Sequence, residues 1–136
     1  MRLIVKEYIS QLKEKDELDI LISQIFVQKG YIADNQPKTG NRQYGVDIQL
    51  HNDDELLMFV VKQGNIDREI WDGGINAVRQ SLDEIKDVTI KNLTTEEKKK
   101  LIKIIVATNG QKEESIKFNW NNYVDNNRLW NEIPII

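Results

Sequence analysis

The chain has 136 residues, 40% of them hydrophobic and 30% charged, with a net charge of −3. That is enough for one domain with a real core, and the acidic balance argues against a module binding nucleic acid by bulk electrostatics alone, although it leaves room for an acidic site with a basic rim. There are no cysteines, which excludes a disulfide framework and a thiolate metal site and makes a reducing cytoplasm the simplest compartment; the start turns charged too soon for a signal peptide, and no apolar run approaches the roughly 20 residues of a membrane span.

Leu3, Ile4, Tyr8, Ile9 and Leu12 fall close to helical spacing, which predicts a helix over residues 2–14. Asp16 is placed to cap a second helix, in which Leu18, Leu21, Ile22, Ile25 and Phe26 follow the i, i+3, i+4, i+7 rule. Gly30 suits its C-terminal cap. Tyr31-Ile32-Ala33 reads as a short first strand, and residues 35–43, with Pro37 and Gly40, as a polar loop. Two central strands follow, at about 44–50 and 56–63, joined by a polar tip at Asn52-Asp53-Asp54. Gly64 breaks the second strand. Residues 66–72 read as a connection, and Gly73-Gly74 as a breaker. Ile75, Val78, Leu82 and Ile85 share one face of a helix predicted over 75–86. Thr94-Thr95-Glu96-Glu97 has the capping-box pattern of a helix start. The lysines 98–100 lead into residues 102–108, which read as a buried strand. After a turn at Asn109-Gly110 a helix is expected over about 111–124, and the tail offers a last strand. No internal repeat or low-complexity linker interrupts the chain, so residues 1–136 read as one domain. Its abrupt apolar end suggests a piece cut from a longer chain with further domains. The order of elements makes a mixed sheet with helices on its faces.

The chemistry gathers on the two central strands. In Gly45-Val46-Asp47-Ile48 the aspartate stands between β-branched neighbours, and period-two alternation points it to the opposite face from both. A charge in such a strand costs stability unless it is paired. Lys62 ends an otherwise apolar run, on the same face as Val60. A hairpin of this kind brings a carboxylate and an ammonium to one end of a sheet. The carboxylate can hold Mg²⁺ and the lysine can orient a water, the equipment of metal-dependent phosphodiester hydrolysis. The plain alternatives are a strand-end aspartate paired with a backbone group or a lysine, and a lysine whose stem packs on the sheet while its amine reaches water. Gln49 and Gln63 are further candidates to orient a phosphate or a water. Arg79 and Gln80, grouped with Trp71 and Asn76, could meet a phosphate or the acids of the site; the plain reading of that group is surface solvation around a tryptophan packed on the sheet. Lys38, Asn41 and Arg42 could touch a DNA backbone. The lysines 98–100 read as a solvated face. His51, the only histidine, falls in a predicted turn, which argues against a histidine-based site.

Together, this order and these residues resemble the PD-(D/E)XK nuclease superfamily, nearest to its Mrr-like defence endonucleases, over roughly residues 16–125. Leu18-Asp19-Ile20-Leu21, in the helix that ends at Gly30-Tyr31, is similar to the first core helix, whose acidic residue often completes the metal site. Gly45-Val46-Asp47-Ile48 is similar to the Gly-x-Asp strand. Val60-Val61-Lys62 stands where the family has Glu-x-Lys or Gln-x-Lys. The run Ile104 to Asn109 is similar to the strand that often ends in Thr-Asn. The resemblance implies an α/β, restriction-endonuclease-like mixed β-sheet flanked by α-helices. It implies a Mg²⁺ (or Mn²⁺) cofactor, DNA as partner with RNA left open, no membrane, and a bacterial defence or restriction setting. Val60 departs from the pattern. Either the acid there has been lost together with catalysis, or another carboxylate replaces it. Asp19, at the edge of its helix's apolar stripe, is the best candidate, and the Val61 carbonyl can add an oxygen. The expected metal ligands are then Asp47, Asp19 and the Val61 carbonyl, and the expected catalytic residues Asp47, Lys62 and Asp19. Two other readings stay open. One is an inactive nuclease fold that binds nucleic acid or protein. The other is a regulatory domain holding a homodimer or higher oligomer together through Trp120, Trp130 and the tail.

Overall fold

The computed structural model describes residues 7–13, 17–34, 45–127 and 130–132, with backbone alone for 126–127 and 130–132. After a helical turn at 7–10, helix α1 runs Asp19–Gln28. Leu18, just before it, and Ile22 are buried. The helix ends where Gly30 adopts φ 101°. There the Gly30 N–H donates to the Val27 carbonyl and the Tyr31 N–H to the Phe26 carbonyl, both at 3.1 Å. This is the Schellman closure, and its usual apolar contact is present, with the Phe26 and Tyr31 ring centroids 5.6 Å apart.

Five strands form one sheet in the order β1-β2-β3-β4-β5: β1 Ile32–Ala33, β2 Ile48–His51, β3 Glu55–Lys62, β4 Leu101–Thr108 and β5 Trp130–Glu132. The first three make an antiparallel meander. β4 then pairs with β3 in parallel, from Glu55↔Leu101 to Lys62↔Thr108, and β5 pairs in parallel with β4. A parallel step needs a long crossover. It is supplied by the helices α2 (Arg68–Asp72), α3 (Val78–Glu84) and α4 (Thr95–Lys98), and α5 (Lys117–Asn127) leads from β4 to β5. Both faces of β3 are covered, which is why its sequence is an unbroken apolar run. Leu56, Met58 and Val60, with Ile104 and Val106 of β4, pack against Trp71, Val78, Leu82, Ile85, Ile116 and Trp120. On the other face Leu57, Phe59, Val61, Ile105 and Ala107 meet Leu12, Leu18 and Ile22. The expected α/β architecture, a mixed sheet with helices on both faces, is present.

Several elements differ from their expectations. Residues 66–72 are more than a connection: the Asp67 carboxylate accepts the Ile70 N–H at 2.9 Å and caps α2, which buries Trp71. The helix expected from 75 starts at Val78, because Ala77 is extended with ψ 151°. Ile75 is therefore off the buried face and 83% exposed. That helix continues past Glu84 through a π turn, Ile85–Thr89, and a 3-10 turn, Ile90–Asn92. The capping box forms, with Thr94 and Glu97 exchanging bonds of 2.9 and 3.2 Å, but α4 is cut short by the start of β4 at Leu101. The helix expected from 111 begins at Lys117, because the preceding backbone is engaged with Ile66: its N–H donates to the Gln111 carbonyl at 2.8 Å and its carbonyl accepts the Glu113 N–H at 3.0 Å. His51 closes β2 and is not in a turn. Asp16, and the polar loop with Lys38, Asn41 and Arg42, lie outside the described residues.

Candidate active site at the joined ends of β2 and β3

Antiparallel pairing sets the start of β2 beside the end of β3, with Ile48 opposite Phe59. Asp47, one residue before β2, and Lys62, the last of β3, therefore share one end of the sheet. The local path at Asp47 is not the plain alternation expected. Val46 and Ile48 belong to clusters on opposite faces of the sheet, so the alternation breaks between them. Gly45 explains the break. It adopts φ 88° and passes so close to α3 that an added Cβ would lie 2.4 Å from the Ser81 carbonyl oxygen. Only glycine meets both demands. From there the Asp47 N–H donates to the Phe59 carbonyl at 2.8 Å, and its carboxylate Oδ2 accepts the Val61 N–H at 2.8 Å. The side chain thus satisfies a buried strand's amide where the β2 backbone has turned away. The N–H and C=O of one residue in an antiparallel strand face the same neighbour, so the Val61 carbonyl faces the Asp47 side.

Lys62 is 7% exposed. Its Nζ donates to the Asn76 carbonyl at 2.5 Å. The plain reading put this amine in water; it lies instead beneath the turn between α2 and α3. Val60, two residues earlier on the same face, is 0% exposed and packs with Val46, Val78 and Leu82. It is a core residue, so an acid there would be buried among apolar side chains. Asp19 is partly buried in the first turn of α1, where its Oδ1 accepts the Ile20 N–H at 2.8 Å. Its helix packs on the Phe59–Val61 face, whereas the Lys62 stem runs on the Val60 face. The fold brings Asp47, Val61 and Lys62 to one end of the sheet, with Asp47 bonded to Val61 and Lys62 to Asn76, and sets the helix of Asp19 across the sheet from the Lys62 stem.

The lesser candidates have other partners. Gln49 Nε2 donates to Asp34 Oδ2 at 2.9 Å, and His51 Nδ1 lies 2.6 Å from Asp34 Oδ1, so both tie β2 to the end of β1. Gln63 is exposed. Trp71 packs edge-to-face on Trp120 and Tyr123, with centroids 5.5 and 5.6 Å away. Arg79 donates to Asp72 Oδ2 at 2.8 Å. The lysines 98–100 precede β4 and so lie at the far end of the sheet, roughly 25 Å from Lys62 at a strand's rise per residue. Lys100 there donates to the Asn52 carbonyl at 2.8 Å. Thr108 and Asn109 hold the site end together. Thr108 Oγ1 donates to the Gly64 carbonyl at 2.5 Å and Asn109 Oδ1 accepts the Gly64 N–H at 2.7 Å. Asn109 Nδ2 also donates to the carbonyls of Ile9 and Leu12, at 2.8 and 3.0 Å. The part played by Asn76 is a backbone carbonyl's, so no side-chain pattern announces it. The Asp67 cap was visible in principle, as an aspartate one residue before a helix.

Among the described residues no group of three or more His, Cys, Asp or Glu side chains is placed to hold a metal ion. The oxygens at the site end, the Asp47 carboxylate and the Val61 carbonyl, are hard donors. They suit Mg²⁺, which commonly takes one or two carboxylates and keeps several waters. Among the described residues no helix is long and apolar enough to cross a membrane. Comparison with protein-family models, with curated proteins and with solved structures finds no match.

Proposed function

We propose that this chain is a metal-dependent DNA endonuclease domain of the restriction-endonuclease-like kind, with Mg²⁺ or Mn²⁺ as cofactor. The observation that carries the reading is the shared position of Asp47 and Lys62 at the ends of adjacent strands, with the Asp47 carboxylate oriented by the Val61 N–H at 2.8 Å. The chain order supports it. A helix, an antiparallel meander, a helical crossover and a parallel strand is the order in which the sequence resembles PD-(D/E)XK nucleases. In this reading Asp47 and the Val61 carbonyl hold the ion, and Asp19 adds a carboxylate from α1 around the sheet end. Bound there, the ion supplies Lewis-acid polarisation of a phosphate oxygen and acidifies a water. Lys62 places a positive charge beside that end, where it offsets negative charge developing on the phosphate. A defence or restriction setting in the cytoplasm, and further domains in a parent chain, belong to the same reading.

A second reading is favoured by two observations: Val60 is 0% exposed within the core, and the Lys62 amine is already engaged with Asn76. This is a nuclease fold without catalysis that binds nucleic acid or protein. Calorimetric titration with Mn²⁺ separates the two. The nuclease reading expects binding to the native protein that weakens at least about tenfold in Asp47→Asn, since a neutral amide replaces the anionic ligand. Absence of binding to the native protein would favour the inactive module.

A further inference from the structure

The turn between α2 and α3 sits over Lys62. Residues 72–76 are all exposed, yet the lysine beneath them is 7% exposed. The turn is anchored by apolar burial only at its two ends, Trp71 on one side and Ala77 and Val78 on the other. Between those ends, Ile75 points outward and is 83% exposed. Backbone bonds shape the turn, Gly73 N–H to the Glu69 carbonyl at 2.7 Å and Ala77 N–H to the Gly74 carbonyl at 3.1 Å, and side-chain ties hold it to its surroundings. The Lys62 amine donates to the Asn76 carbonyl from below at 2.5 Å. Across its base, Arg79 of α3 donates to Asp72 of α2 at 2.8 Å, an exposed ion pair. A segment with no buried apolar side chain of its own opens at low free-energy cost.

We propose that residues 73–76 form a lid over the Lys62 ammonium, clasped by Asp72 and Arg79, which opens before a phosphate oxygen can meet that charge. The carbonyl of Asn76 holds the place that the phosphate oxygen takes. This rests on the reading of Lys62 as a phosphate-facing residue, but the lid itself is testable without any cleavage assay. The native protein and Arg79→Gln are treated with an amine-acylating reagent. Labelling of Lys62 is then read by peptide mass spectrometry, relative to exposed Lys98. The lid predicts slow labelling in the native protein and a rise of about two- to five-fold in Arg79→Gln, the range that loss of an exposed ion pair allows. Asp72→Asn should give the same rise. Raised salt should speed labelling of the native protein more than of either variant, because it screens the clasp. Lys62 labelling as fast as Lys98 in the native protein would overturn the lid, as would equal slow labelling in all three folded proteins. Acylation reads opening and not hydrolysis. A protein with a moving lid and no nuclease activity is therefore told apart from an active one whose turn is fixed.

Discussion

Asp47 combines two tasks that single substitutions can separate. Its carboxylate is the proposed metal ligand, and it also satisfies the Val61 N–H at 2.8 Å. Asp47→Ala leaves that donor unpaired, which should cost about 1–3 kcal/mol of stability in urea unfolding. Asp47→Asn keeps an acceptor and should cost less, so it is the cleaner test of function. Lys62→Ala is no surface change either, because a buried stem and a bond to Asn76 are lost together. Val60 sharpens the point. It is 0% exposed in the core cluster, so Val60→Glu does not simply restore a family acid. Burying that carboxyl should destabilise the protein by about 3 kcal/mol or more. An unchanged urea midpoint would mean that the site end is open to water. Asp47 and Lys62 were legible in the sequence because charges stand out at the edges of apolar runs. That Asp47 could bond to backbone was legible as well; that its partner is the Val61 N–H was not, because this depends on where the β2 backbone turns away.

The sheet that carries the site is held by close approach at the site end and by an ion pair near its far end. Gly45 lets the entry to β2 press against α3, where a Cβ would meet Ser81 at 2.4 Å from a positive φ. Gly45→Ala should therefore destabilise by more than about 2 kcal/mol through strain and overlap together, measured as a drop in the urea midpoint. On the α1 face, Glu55 joins Tyr31 to Lys103. The Tyr31 hydroxyl donates to Oε1, and Lys103 Nζ lies 2.5 Å from Oε2. Lys103 first, and then Tyr31, hold the Glu55 carboxyl below the usual carboxylate range. A folded value below the unfolded one means stability that is present above about pH 4.3 and lost as pH falls through the folded value. Glu55→Gln should remove this part of the acid limb, with an effect of about 1 kcal/mol at neutral pH, read as melting temperature from pH 3 to 7. Strand β3, the Gly30 helix end and the capping box could be read locally, since each is a short-range pattern. The late start of α3 and the ties between Ile66 and residues 111–113 could not. They are set by how the crossover packs on the sheet.

At the scale of the molecule, the order of elements was legible because apolar periodicity and glycine breaks follow the chain. The burial of Val60 and the capture of Lys62 by Asn76 were not, because they come from which helices cover which face. The proposed function stands or falls on whether the joined end of β2 and β3 hydrolyses phosphodiester bonds with a divalent ion. The most direct measurement is nicking of supercoiled plasmid by native protein and by Asp47→Asn, purified in parallel, with Mg²⁺ and with EDTA. A working site predicts cleavage by the native protein that requires Mg²⁺ and falls by about 100-fold or more in Asp47→Asn, the scale of losing a metal's charge stabilisation. Cleavage that persists in EDTA, or that is equal in the two proteins, would contradict the assignment of Asp47. No cleavage by folded native protein with Mg²⁺ or Mn²⁺ would contradict the enzymatic reading itself.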